Sequence, residues 1–321
     1  MPGNTETVPE LLVRSAKVEW LGSGYGAFDA SGAMLGVAEG PVWLPADRAL
    51  TFVDSGNGIR YRWDERDGVT VARTGTNDTN GMTLDRAGRI VRCEHAARRV
   101  TREEADGSIT VLADSYRGLA LNRPNDVVVR SDGSIWFTDP LTFGVDTELD
   151  FAGVYRVSPN LSRINLVARD FSMPNGLAFS PDEQTLYIND TNRMHIRAFP
   201  IDTWSTAGAR LDLDSGRVLI TMAGDAPGHP DGMKLDALGN IWCTGPGGIW
   251  AVSPTGEHLA TLKLPKVPVT NFCFGGPDLR TIFFTTFTEV ARVQVAVPGL
   301  DPNRTITHAD TPAWTADGRT G

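Results

Sequence analysis

The stretch Arg123–Pro140 has the sequence RPNDVVVRSDGSIWFTDP, in which two short apolar runs flank an Asp-Gly pair. Val, Ile, Phe and Trp around an Asp-Gly dipeptide are the typical signal of a β-hairpin. The Arg-Pro-Asn-Asp segment in front of the first run is too polar for a hydrophobic core. Its place at the entrance of a hairpin is explained by the rest of the chain, which repeats the arrangement.

The repeating unit is a polar residue, a short apolar strand, a turn rich in Asp, Gly or Pro, and a second strand. Its six copies begin 41, 45, 50, 56 and 40 residues apart, at Glu39, Asn80, Asn125, Asn175, Asp231 and Asn271. A period of about 40–50 residues built from short strands is typical of propeller blades. No long amphipathic helix is evident. The sequence therefore predicts an all-β fold, a six-bladed β-propeller.

The domain organisation follows from the repeats, which predict a single propeller domain over residues 1–303. The segment 11–24 precedes the first copy and contains the strand-like LLVRSAKVEWLG. We expect it to add a strand to the last blade, since this closes the ring and removes an open sheet edge. The segment 304–321 has little apolar pattern, and we expect it to form a loose C-terminal tail.

Composition and charge restrict the classes of partner and the compartment. The formal net charge is −9, which disfavours nucleic acid and anionic membranes as partners because both call for basic patches. Three cysteines without C-x-x-C spacing support neither a disulfide framework nor a zinc finger. The first twenty residues lack the pattern of a secretory signal. We expect a cytoplasmic protein, either a monomer or a small homo-oligomer.

The six repeat starts become neighbours in a propeller, because the innermost strand of each blade lines the central channel. All six positions carry side-chain oxygens, two of them carboxylates and four of them amides. Hard divalent cations take such ligands, and Ca²⁺ tolerates irregular mixtures of them. Zn²⁺ more usually recruits His or Cys, whereas Mn²⁺ and Mg²⁺ also accept oxygen ligands. The pattern predicts one divalent metal ion in the channel, with Ca²⁺ favoured over Zn²⁺, Mn²⁺ and Mg²⁺.

A simpler explanation exists for some of these positions, because Asn-Gly and Asp-Gly pairs are common in turns. For Asn80 and Asn271 the turn and the metal ligand are equally favoured. The metal ligand is favoured for Glu39, because Glu is neither a turn former nor a strand former, and for Asn175 and Asp231.

Several stretches together resemble the family of senescence marker protein, gluconolactonase and luciferin-regenerating enzyme. They are AEGPVW, NGMTLDRAGRIVRCEHAARRVTR, NRPNDVVVRSDGSIWFTDP, PNGLAFSPDEQTLYINDT and PDGMKLDALGNIW, and they span residues 38–287. The resemblance implies a divalent metal in the channel and the hydrolysis of lactones, most often sugar lactones such as gluconolactone.

Carried over by position, the resemblance makes Glu39, Asn175 and Asp231 the metal ligands. It makes Asn125 a metal or substrate contact and Arg123 a substrate-orienting group. Asp126 is more simply explained by a bond to its own backbone. His229, two residues before Asp231, is a candidate substrate contact or proton shuttle, and His95 is a weaker candidate at the top of the channel.

Lactone hydrolysis needs a polarised carbonyl, an activated water and a stabilised oxyanion. A divalent cation supplies the first and third of these, and Asp231 is the candidate general base, with Asn125 beside it in the catalytic site. No G-x-S-x-G motif supports a serine hydrolase. Two alternatives stay open: an arylesterase or organophosphate hydrolase on the same metal site, and a non-enzymatic propeller that serves as a binding platform.

Overall fold

A computed structural model describes residues 10–13, 15–32, 34–141, 146–202, 210–213, 215–266 and 268–301. Every regular element in these ranges is a β-strand. Within the same ranges, no helix is long and apolar enough to cross a lipid bilayer. The expected C-terminal tail, 304–321, lies outside the described residues.

The strands form six antiparallel blades, numbered here in chain order, preceded by three short strands. The preceding strands are β1 (Glu19–Ser23), β2 (Ala27–Phe28) and β3 (Met34–Gly36). Blade 1 consists of β4 (Ala38–Leu44), β5 (Ala49–Asp54), β6 (Ile59–Asp64) and β7 (Gly68–Thr74). Blade 2 consists of β8 (Thr79–Leu84), β9 (Ile90–Glu94), β10 (Arg99–Glu103) and β11 (Ile109–Ala113), and it is followed by the hairpin of β12 (Ser115–Tyr116) and β13 (Leu119–Ala120). Blade 3 consists of β14 (Val127–Val129), β15 (Ile135–Asp139), β16 (Gly153–Val157) and β17 (Ile164–Ala168).

The second half of the chain continues the pattern. Blade 4 consists of β18 (Pro174–Phe179), β19 (Thr185–Asp190), β20 (His195–Asp202), β21 (Arg210–Leu211) and β22 (Arg217–Thr221). Blade 5 consists of β23 (Met233–Leu235), β24 (Ile241–Gly245), β25 (Gly248–Val252) and β26 (His258–Lys263). Blade 6 consists of β27 (Val269–Gly275), β28 (Thr281–Thr286) and β29 (Glu289–Gln294), with β1 as its fourth strand.

The first strands of the blades form a closed ring around one axis. Each contacts the first strand of the next blade, in the order β4, β8, β14, β18, β23, β27 and back to β4. In blade 6, β1 pairs antiparallel with β29, with Trp20 opposite Ala291. The all-β, six-bladed prediction is confirmed.

Aromatic side chains pack between neighbouring blades. Trp136 of blade 3 is fully buried and meets the ring of Phe179 in blade 4 edge-on at 5.6 Å. Trp43 of blade 1 stacks on Phe283 of blade 6 at 5.2 Å. Such rings bury large apolar areas and prefer offset or edge-on contacts. The rings hold the blades side by side and leave the polar repeat starts free to face the channel.

The glycines that follow the polar repeat starts permit a close approach of neighbouring inner strands. A Cβ atom on Gly81 would lie 2.4 Å from the carbonyl oxygen of Asn125 in the next blade. A Cβ atom on Gly232 would lie 2.1 Å from the amide oxygen of Asn271. These Asn-Gly and Asp-Gly pairs therefore lie where inner strands touch rather than in hairpin turns, and Asn80 and Gly81 lie within β8 itself.

Candidate active site in the central channel

Three carboxylates from alternate blades lie together where the first strands begin, which we call the upper end of the channel. Glu39 of blade 1 and Asp126 of blade 3 are buried, and Asp231 of blade 5 is half-buried. Burial raises the pKa of Glu39 to about 7, and the negative charge of Asp126 adds to this effect. Burial also raises the pKa of Asp231 well above its usual value, with the charges of Glu39 and Asp126 acting in the same direction. The three groups repel one another, so the site favours a positive charge.

Glu39 has one carboxylate oxygen engaged and the other available. Its Oε2 accepts hydrogen bonds from the backbone N–H of Gly40 at 2.5 Å and from Nδ2 of Asn271 at 3.0 Å. No hydrogen bond to Oε1 is found among the described residues. A carboxylate held in this way can offer its second oxygen to a cation.

Asn175 is buried next to Asp231. Its Nδ2 donates to Oγ1 of Thr191 at 3.1 Å, and a hydrogen bond from Asn175 lowers the pKa of Asp231. The donation to Thr191 fixes the orientation of the amide. Its side-chain oxygen accepts no hydrogen bond from the part of the chain that the structure describes, so it is available as a ligand.

Asp126 does more than bond to its own backbone. Its Oδ1 accepts the N–H of Val127 at 2.9 Å, as expected, but its Oδ2 is buried without a hydrogen-bond partner. Burial raises the pKa of Asp126 as well. An orphaned buried carboxylate oxygen is costly, and a water molecule, an ion or a ligand would satisfy it.

Second strands hold the backbone of the repeat starts in place. Oγ1 of Thr138 donates to the carbonyl of Asn175 in the next blade at 2.8 Å. Nδ2 of Asn189 donates to the carbonyl of Asp231 at 2.6 Å, and the N–H of Asp231 donates to Oγ1 of Thr244 at 2.9 Å. The first two bonds link neighbouring blades and the third lies within blade 5, so together they hold the backbone of the repeat starts rigidly.

Arg123 lies in front of Asn125 and pairs with a histidine. Its Nη2 is 3.3 Å from Nδ1 of His95, which accepts the hydrogen bond because a guanidinium only donates. Burial and the positive charge of Arg123 lower the pKa of His95 to about 3, so the ring is neutral. Burial also lowers the pKa of Arg123, and the charge of Asp78 partly opposes this shift. The half-buried guanidinium is thus held in a defined orientation.

The remaining predicted contacts are less constrained. Asn125 is half-buried. Its backbone N–H donates to the carbonyl of Thr138, and its carbonyl accepts the N–H of Gly81. Its side chain makes no hydrogen bond within the described ranges. His229 is exposed, and only its carbonyl has a hydrogen bond to another described residue, from Oγ1 of Thr244 at 3.1 Å. The His229 ring forms no hydrogen bond or ion pair with the three carboxylates.

Sequence reasoning missed Lys234, whose ammonium group faces the same carboxylates. Its charge lowers the pKa of Glu39, Asp126 and Asp231, and its Nζ is 3.4 Å from Oδ1 of Asn271. The sequence signal was weak, because a lysine one residue into a strand is normally a solvated side chain.

The donor set fits a divalent cation. Three carboxylates and one ammonium leave a formal charge of −2, and the available oxygens belong to carboxylates and an amide. Among the described residues, no group of three or more His, Cys, Asp or Glu side chains has metal-binding geometry. The predicted site therefore depends on mixed carboxylate and amide oxygens, as Ca²⁺ accepts, and not on a zinc-type cluster.

Comparison with known proteins places the chain in a family. The profile described as the SMP-30/Gluconolactonase/LRE-like region matches residues 37–288. The chain belongs to the SMP-30/gluconolactonase/LRE-like family. This confirms the resemblance carried by the repeat motifs.

Individual relatives extend over most of the chain. A gluconolactonase of Zymomonas mobilis is 31% identical over 286 residues, which cover 82% of this chain and 79% of the relative. The solved structure of a gluconolactonase from Xanthomonas campestris matches with a TM-score of 0.75 and 32% identity, covering 88% of this chain and 91% of that one. The calcium-binding protein regucalcin of Agrobacterium tumefaciens matches with a TM-score of 0.67, covering 86% of this chain and 95% of that one. Its identity is only 21%, which shows the fold alone.

Proposed function

We propose that this family member is a metal-dependent lactonase that opens the ring of a sugar lactone such as gluconolactone. The observation that carries the proposal is the cluster of Glu39, Asp126 and Asp231 at the upper end of the channel, whose negative charge is only partly compensated. The gluconolactonase relatives support lactone hydrolysis as the activity.

The ligands that we assign to the cation are Glu39, Asn175 and Asp231, with Asn125 as a further oxygen donor to metal or substrate. A bound divalent cation polarises a carbonyl, stabilises an oxyanion and makes a water molecule more acidic. The available oxygens favour Ca²⁺ first, and Mn²⁺ and Mg²⁺ accept the same donors. Zn²⁺ fits less well because neither His nor Cys is among the assigned ligands.

Asp231 is the group that we assign as general base. Hydrolysis joins the oxygen of a water molecule to the lactone carbonyl carbon and breaks the bond between that carbon and the ring oxygen. Asp231 takes the proton that the water loses, and the same proton serves the ring oxygen as it leaves as a hydroxyl group. A carboxylate whose pKa is raised by burial is a better proton acceptor than an exposed one.

Arg123 and Asn125 are the groups that we assign to orient the substrate. The guanidinium is held by Nδ1 of His95 and still has other N–H groups to donate to lactone oxygens. Asn125 offers both an amide donor and an acceptor. His229 is exposed and stays a candidate for a contact with the outer part of the substrate.

The decisive experiment follows acid release from D-glucono-δ-lactone, an apolar γ-lactone and an aryl ester. Each substrate is tested after chelation and after re-addition of Ca²⁺, Zn²⁺, Mn²⁺ or Mg²⁺. Asp231→Ala is the test variant, and Asp67→Asn, which alters an exposed turn, is the matched control. We expect sugar-lactone hydrolysis that is lost on chelation, restored by a metal, absent in Asp231→Ala and normal in Asp67→Asn.

The other outcomes separate the alternatives. Cleavage of the aryl ester without cleavage of any lactone would assign the site to an arylesterase. Activity that survives chelation would remove the metal from the proposal. No activity and no bound metal would leave a binding platform.

A further inference from the structure

Lys234 occupies the boundary between the polar upper end of the channel and an apolar lower cavity. It lies in β23, and its Nζ donates to the carbonyl of Met233 at 3.1 Å and to Oδ1 of Asn271 at 3.4 Å. Its Nζ is also 5.9 Å from the centre of the Phe272 ring. The cavity below it has a volume of about 230 Å³ and is walled mainly by apolar side chains such as Met82 and Phe179.

Lys234 supplies positive charge to the carboxylate cluster without a direct ion pair. It lowers the pKa of Glu39, Asp126 and Asp231. Among the described residues, none of these three carboxylates forms an ion pair within 4 Å. Because Lys234 forms no ion pair with any one of them, its charge acts on the whole cluster.

Lys234 also sets the orientation of Asn271. Because an ammonium can only donate, the amide oxygen of Asn271 must face Nζ, and the same oxygen accepts the N–H of Phe272 at 2.9 Å. The amide nitrogen is then directed to Oε2 of Glu39 at 3.0 Å. This leaves Oε1 of Glu39 as the free oxygen. A chain of hydrogen bonds thus runs from Lys234 through Asn271 to Glu39, which is a predicted metal ligand.

We propose that Lys234 determines the charge selectivity of the site, because its ammonium group supplies one of the three positive charges that the three carboxylates need and so matches the site to divalent cations. The inference rests on the metal site of the proposed function. Without Lys234 the cluster carries a formal charge of −3 and matches a trivalent ion.

The physical reason is that electrostatic repulsion grows with the charge of the bound ion. The repulsion between the Lys234 ammonium and a bound ion is proportional to the charge of the ion. Removing the ammonium therefore stabilises a bound trivalent ion more than a bound divalent ion, by the repulsion energy of one additional unit charge. For unit charges several ångströms apart in a partly buried site, this additional repulsion energy corresponds to a change on the order of tenfold in the affinity for the trivalent ion relative to the divalent ion. The ratio of two dissociation constants isolates this effect from any general loosening of the site.

The test measures Tb³⁺ binding by its luminescence and Ca²⁺ binding by competition, on chelated protein with metal re-added. Lys234→Met and Lys234→Gln remove the charge, and Lys234→Arg keeps it. Lys263→Met removes an exposed lysine on β26 and serves as the matched control. We expect the ratio of the Ca²⁺ to the Tb³⁺ dissociation constant to rise about tenfold or more in both neutral variants. It should stay near the unsubstituted value in Lys234→Arg and Lys263→Met.

Each contrary outcome has a definite meaning. An unchanged ratio in both neutral variants would overturn the role of Lys234 while leaving the metal site intact. Failure of the unsubstituted protein to bind either ion would overturn the metal site and the inference together. If both neutral variants unfold, Tb³⁺ should restore their folding better than Ca²⁺, and failure of Tb³⁺ to do so would also overturn the inference.

Discussion

Two clusters of buried charge in this propeller use the same residue types to opposite effect. The first, which we call the interblade network, joins blades 1 and 2. In it, Arg92 and Arg99 hold Glu94 at 3.0 and 2.7 Å, and Arg60 holds Glu103 at 2.8 Å. The second is the channel cluster of Glu39, Asp126 and Asp231, which has no ion pair within 4 Å in the described part of the chain.

The pKa shifts of the two clusters differ in sign. Burial raises the pKa of Glu94, but hydrogen bonds from Arg99, Thr101 and Asn77 outweigh it, so the net shift is downward. In the channel, burial and mutual repulsion act together, and the pKa values of Glu39 and Asp231 rise. Burial alone therefore does not mark a functional carboxylate. In the channel no direct ion pair compensates the three carboxylates, so their mutual repulsion favours a bound proton or metal ion.

The largest expected difference between the clusters concerns Asp231→Asn. The amide cannot accept a proton, so we expect kcat for lactone hydrolysis to fall by about 10²–10⁴-fold. The chelated variant should be at least as stable as the parent, because one repelling charge is gone. Steady-state kinetics and denaturant unfolding check the two parts, and a kcat within tenfold of the parent would remove Asp231 from the mechanism.

Glu94→Gln should have the opposite effect: it should lower the stability of the protein and leave the metal site intact. The substitution leaves the buried Arg92 without its main partner, and breaking a buried ion pair typically lowers the free energy of unfolding by about 3–5 kcal/mol. Metal affinity should stay within a few-fold of the parent, since Glu94 is not an assigned ligand. Urea unfolding and Ca²⁺ titration test this, with Asp67→Asn as the exposed control. A loss of stability no larger than that of the control would mean that the interblade network contributes little.

The smallest expected effect is on the pH dependence of the chelated protein. The folded-state pKa of Glu39 is raised from 4.5 to about 7, so the folded state holds its proton more tightly than the unfolded chain does. The contribution of Glu39 to stability should therefore decrease as the pH rises from about 5 to 8. Below the unfolded-state pKa, both states are protonated and this contribution becomes constant. His95, whose pKa is lowered from 6.5 to about 3, contributes in the opposite direction up to about pH 6.5.

A matched variant sharpens this measurement. Glu39→Gln should reduce the slope of Tm against pH without abolishing it, since burial also raises the pKa of Asp139 to about 7. Glu94 and Glu103 have lowered pKa values and therefore cause a loss of stability only in more acidic solution. An equal dependence of Tm on pH in Glu39→Gln and in the chelated parent would contradict the raised pKa of Glu39.

Much of the fold could be predicted from local patterns. The Asp132-Gly133 turn joins β14 to β15, and Val127 pairs with Phe137, as the alternating apolar residues indicated. The spacing of the repeats predicted six blades. The radial symmetry of a propeller predicted that Glu39, Asn175 and Asp231, which occupy equivalent positions in their repeats, all lie at the central channel. Their assignment as metal ligands stays a prediction.

The meaning of the Asn-Gly and Asp-Gly pairs could not be predicted in the same way. The dipeptide looks identical in a turn and at a close contact between strands. Only the distance from Gly81 to the backbone of the next blade distinguishes them, and that distance joins residues more than forty positions apart.

The sequence by itself determined the number of blades and which residue types converge on the axis, because both depend on a repeat period that local hydrophobicity and turn chemistry encode. Only the tertiary structure decided how the charges on that axis are compensated. In the sequence, Lys234 looks like an ordinary lysine in a strand and Asp126 like an ordinary turn residue. Closure of the ring of blades brings both of them near Glu39 and Asp231. Electrostatic interaction depends on distance through space and on burial, and neither quantity is written in the order of the residues.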